Sequence, residues 1–133
     1  MSRHAARLLA GAVLLVVVGW LLPFLAARAG LGDVLTTPEI GALGWAVAAF
    51  LGGFVARTGF LPVAFVMWVA VWKLSLLALY QIAAPTGEAS VVGLLQLNAL
   101  AIAMSLAATV AGTLLGQKTA ACWTRRGGGP VAA

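Results

Sequence analysis

Charge is what this sequence has least of. Asp, Glu, Lys and Arg make up only 8% of its 133 residues, against roughly 25% in a soluble globular domain. So few ionised side chains cannot coat a water-facing surface, which excludes an ordinary soluble fold. Acids are the scarcest, with Asp33, Glu39 and Glu88 the complete set, and none is expected inside a membrane span. Cys122 is the single cysteine, so neither an intrachain disulfide nor a relay built on paired thiols is possible. His4 is the single histidine, and no cluster of His, Cys and carboxylates exists to bind haem or a transition metal. We therefore expect no cofactor, no metal and no enzymatic activity.

Hydrocarbon takes the place of charge. Hydrophobic residues make up 63% of the chain and the mean hydropathy is +1.09. Apolar stretches run to about 20 residues with at most one charge, the length needed to cross a hydrocarbon core about 30 Å thick at 1.5 Å per helical residue. The lipid bilayer is thus the first expected partner. The formal charge of +5 does not point to nucleic acid, because the basic residues sit at the ends of apolar runs and form no stripe with interleaved aromatics.

The pattern predicts an all-α membrane protein with one transmembrane domain, a bundle of four antiparallel helices. The spans are expected at about 8–26, 40–56, 60–84 and 91–115, followed by a flexible tail over 117–133. Residues 1–29 also have a rival reading as a cleaved secretory signal: basic Arg3 and Arg7, an apolar stretch, Pro23, and Ala27-Arg28-Ala29 as the cleavage site. Thr36-Thr37-Pro38-Glu39 starts the second span, with a threonine cap, proline at the first helical position and an acid near the positive end of the helix dipole. Arg57-Thr58-Gly59 is so short a turn that the second and third spans are expected to be antiparallel neighbours. Ala84-Pro85-Thr86-Gly87-Glu88 ends the third span, and Thr86 or Ser90 caps the fourth.

Cations set the orientation. Arg3, Arg7, Arg57, Lys118, Arg125 and Arg126 fall on one side of these spans and Arg28 on the other. By the positive-inside rule both termini are cytoplasmic. The small size and richness in Ala, Leu and Gly suggest a bacterial inner membrane.

One cation has no place at a membrane surface. Lys73 lies about 16 Å from the outer end of the third span, too deep for its stem of about 6 Å to reach water. Tyr80 and Gln81 share its helical stripe, two turns on. Asn98 on the fourth span is near it in depth, with Gln96 as a second candidate. With Ser105 and Thr109 these residues are expected to form a polar intramembrane site. Trp68 and Trp72 lie four apart near Lys73, with a cation–π contact or a lipid-facing or packing role, whereas Trp45 and Trp123 suit the interfacial belt.

Small residues recur at helical spacing. Ala108, Gly112 and Gly116 follow one another every four residues, and Ala48 with Gly52 and Ala49 with Gly53 do likewise. Such faces let helix backbones approach closely where lipid offers no hydrophobic drive for association, within the bundle or between copies of the chain.

Known four-span families leave no trace in the motifs. The first span lacks the glutamate of small multidrug transporters, and the Asn-containing glycine motif of small fluoride channels is missing. The cysteine pairs of thiol oxidases and mercury transporters are absent too. The stretch FLGGFVARTGFLPVAF resembles hairpins of bacterial four-span proteins in general and implies no particular activity. The function expected is that of an accessory or assembly subunit, packing on other membrane subunits or on itself. The alternative is a small oligomeric transporter or channel that uses Lys73 to move an ion or small solute.

Overall fold

A computed structural model describes residues 2–30, 37–87 and 90–127. These form helices α1 (Arg3–Arg28), α2 (Pro38–Ala56), α3 (Leu61–Ala83) and α4 (Val91–Gly127), with a 3-10 turn at Ala84–Thr86. Helices α2, α3 and α4 are each long and apolar enough to cross a membrane.

Local chemistry accounts for the helix ends. Thr37 stands in extended backbone before Pro38, and Glu39 occupies the first turn of α2; Thr36 lies outside the described residues. Ser90 caps α4, its hydroxyl accepting from the Gly93 N–H at 3.3 Å. Between α2 and α3 the chain turns at Arg57, which has φ 67 and ψ −50, while the Thr58 N–H reaches back to the Ala56 carbonyl at 2.9 Å. That is a γ-turn of the rare, strained kind, with a non-glycine residue at its centre.

Helix α4 is longer than its apolar run. Its 37 residues would extend about 55 Å, and residues 117–127, expected as flexible tail, are helical. Nothing in Gln117–Arg126 breaks a helix before the glycines begin at Gly127. The Thr119 and Thr124 hydroxyls also bond back to the Leu115 and Ala120 carbonyls at 2.8 and 3.2 Å.

Helix α2 is the centre of the fold, packed along α4 on one side and α1 on the other. Its adjacent glycines explain why. Consecutive residues on a helix point about 100° apart, so Gly52 and Gly53 serve different neighbours. Gly52 backs onto Gly11 of α1, while Gly53 backs onto Thr113 of α4. Along the α1–α2 contact His4 lies by Gly59 and Gly11 by Gly52; along α2–α4, Gly112 lies by Ala46 and Gly116 by Phe50. Helix α3 rests mainly on α4 and touches α2 little. The short turn therefore does not make α2 and α3 the close neighbours its length led us to expect, because the small-residue faces of α2 are taken by α1 and α4.

The interior is small and the exterior bulky. Ala48, Ala49, Ala56 and Ala64 are buried together with Leu15 and Phe60, whereas Leu97, Ile82, Leu74 and Val92 stand out from the surface. Phe60 is wholly buried against Gly52 and Gly11. Small residues inside and large apolar ones outside is the distribution of a bundle solvated by lipid, where close backbone approach replaces hydrophobic burial as the cohesive force.

Candidate functional site

Helix α3 meets α4 through Trp68 and Trp72, spaced four residues apart on one face. Trp68 and Trp72 both donate their indole N–H to the Ser105 hydroxyl, at 3.0 and 2.9 Å. The Ser105 hydroxyl in turn donates to the Ile102 carbonyl at 3.0 Å, so its one proton and both lone pairs are engaged. One turn on, the Thr109 hydroxyl donates to the Ser105 carbonyl at 2.7 Å. This polar cluster is buried in an otherwise apolar contact, where each indole N–H needs an acceptor.

Lys73 is elsewhere. It follows Trp72 by one residue, so it is turned about 100° away from Ser105 and lies exposed on the outer face of α3. Among the described residues it makes no hydrogen bond, ion pair or ring contact. Tyr80, Gln81 and Gln96 are likewise exposed. Asn98 is half-buried and directs its amide to its own helix, donating to the Leu94 carbonyl at 2.8 Å. The polar site expected around Lys73 is thus divided. Ser105 and Thr109 are buried on α4, Ser105 joined to the two tryptophans and Thr109 to the Ser105 carbonyl, neither to the lysine, and Lys73, Tyr80, Gln81 and Gln96 are exposed.

The small-residue positions are used within the chain. Backbone of α2 occupies the space that a side chain at Gly112 or Gly116 would take, and backbone of α4 does the same at Gly53. Ala108 is half-buried on α4. The sequence reading missed Gly11, where a Cβ would stand 2.7 Å from the Gly52 carbonyl oxygen; its place in the small run Ala10-Gly11-Ala12 was the available signal. It also missed the Trp–Ser cluster, signalled by two tryptophans one turn apart and a serine in an apolar helix. Among the described residues no three His, Cys, Asp or Glu side chains come together.

Comparison with protein-family models, with curated proteins and with solved structures gave no match.

Proposed function

We propose that this chain is a small multi-pass protein of a bacterial inner membrane and acts as an accessory or assembly subunit. It docks on other membrane helices through the outer face of α3, around Lys73. The carrying observation is the exposure of Lys73 on a helix long and apolar enough to cross a membrane, with no hydrogen-bond partner among the described residues. A lysine facing lipid at that depth costs about 2.5–3.5 kcal/mol on insertion scales, a cost that an acceptor on a neighbouring helix removes. Gly11, Gly52, Gly53, Gly112 and Gly116 are already spent inside the chain, so docking falls to the polar outer face of α3 and not to the G-x-x-x-G contact of Gly112 and Gly116.

In this reading α1 is a fourth span, the helices alternate in direction and both termini are cytoplasmic. The opposite running of the α1–α2 contacts and the matched running of the α2–α4 contacts support the alternation. Retention of α1 is supported by the places of Gly11 and Leu15 in the interior. Glu39, at one end of α2, is the length of that helix away from Arg57, in keeping with a basic cytoplasmic side.

The transport alternative is weaker because Lys73 faces away from the helix contacts and lines no passage between them. Gentle solubilisation followed by mass measurement of the intact complex tests the proposal. A foreign subunit in fixed stoichiometry, lost in Lys73→Met, is expected. A complex of unchanged mass in Lys73→Met would refute docking at this face. Ion or solute flux in liposomes that vanishes in Lys73→Met would establish the transporter instead.

A further inference from the structure

At the end of the bundle where α2 turns into α3, Arg7 of α1 and Arg57 of the turn line one cavity of about 240 Å³. Its other walls are Phe54 and Val55 of α2 and Ala120 and Trp123 of α4. The last two belong to the part of α4 that runs on beyond residue 115, so the helical extension completes the cavity. Arg7 and Arg57 are the two charged residues of a lining that is otherwise, and predominantly, hydrocarbon. Glu39 is the one acid among the described residues, and it lies at the far end of α2, about 27 Å from Arg57 at helical rise.

The geometry points to a binding site for one anionic phospholipid, its phosphate held between Arg7 and Arg57 and its glycerol and upper acyl chain laid on Phe54, Val55, Ala120 and Trp123. Planar guanidinium forks match phosphate oxygens in pairs, and basic pockets at helix ends are the form that headgroup recognition takes in membranes. The apolar wall distinguishes a lipid from free phosphate, which has nothing to gain from it. A volume below the roughly 300–1,000 Å³ of drug-sized sites admits a headgroup and the start of a chain and no large solute. Arg57 also holds a strained backbone conformation that glycine would adopt freely.

The site is independent of the α3 docking face. Native mass spectrometry of the detergent-solubilised protein, titrated with phosphatidylglycerol, phosphatidylcholine or inorganic phosphate, tests it. Phosphatidylglycerol is expected to bind about tenfold more tightly than phosphatidylcholine, with one high-affinity equivalent per chain. Arg57→Gly, which relaxes the turn, and Arg7→Gln are each expected to weaken phosphatidylglycerol about tenfold. Lys118→Gln, an equal loss of charge at an exposed residue outside the cavity, should change it less than twofold. Equal binding of the two lipids overturns the inference. So does a Lys118→Gln effect as large as that of Arg57→Gly, which reduces the effect to net charge. Inorganic phosphate that competes at millimolar concentration also overturns it, since the apolar wall would then contribute nothing.

Discussion

Trp68 and Ser105 are joined across the α3–α4 contact by an indole N–H donated to a hydroxyl at 3.0 Å. Trp72 uses the same oxygen at 2.9 Å, so removing that oxygen strands two donors at once. Ser105→Ala should cost about 1–3 kcal/mol, given the expense of an unsatisfied buried donor and the modest value of such bonds in membranes. Thermal unfolding in detergent followed by tryptophan fluorescence would show it. An unchanged midpoint would mean that these bonds do not hold α3 in place.

Glycines separate by position. A Cβ at Gly112 would meet the Ala46 carbonyl oxygen, and one at Gly116 the Phe50 carbonyl oxygen, while at Gly44 nothing lies within 4 Å. Backbone cannot swing aside as a side-chain tip can. Gly112→Ala and Gly116→Ala should therefore each lose about 1–3 kcal/mol, whereas Gly44→Ala should be neutral or gain up to about 1 kcal/mol from helix propensity. Equal stability of all three variants would refute the α2–α4 packing described above.

Lys73→Met carries opposite expectations for the chain and for its complex. Membrane insertion of α3 should become more favourable by about 2.5–3.5 kcal/mol, read as the inserted fraction in a translocon assay, while association through that face is lost. A variant that inserts no better than the parent would show that Lys73 already has a satisfied environment in the isolated chain.

Relaxing the Ala56–Arg57–Thr58 turn should stabilise the protein. Arg57 has φ 67, a conformation that costs a non-glycine residue about 1–3 kcal/mol. Arg57→Gly should recover part of that and raise the unfolding temperature by a few degrees. A lowered temperature would show that the arginine side chain contributes more than its backbone costs.

Cys122 provides a test of sidedness. It is exposed near the end of α4, and in the proposed topology that end is cytoplasmic. A membrane-impermeant maleimide should label it in inside-out vesicles and leave it unlabelled in intact spheroplasts. The reverse pattern would invert the proposed topology.

Membrane residence and the apolar helices were legible in the sequence because they depend on sums, and adding hydropathy over about 20 residues needs no knowledge of neighbours. Helix starts at Pro38 and after Ser90 were legible for a related reason: caps and proline act within one turn. The far end of α4 was not, since polar residues that mark the end of an apolar run do not stop a helix. Which residues face one another could not be read at all. Lys73 and Trp72 are one residue apart, yet only the packing of α3 on α4 decided that the indole turns inward and the ammonium outward. Gly52 and Gly53 were recognisable as small, but that each serves a different helix followed from α2 sitting between α1 and α4. Composition and local chemistry thus determined the solvent and most helix boundaries, because those are properties of a segment by itself. Partners, and with them the burial of every polar side chain, were decided by the tertiary structure, because contact depends on two surfaces and the sequence displays each of them separately.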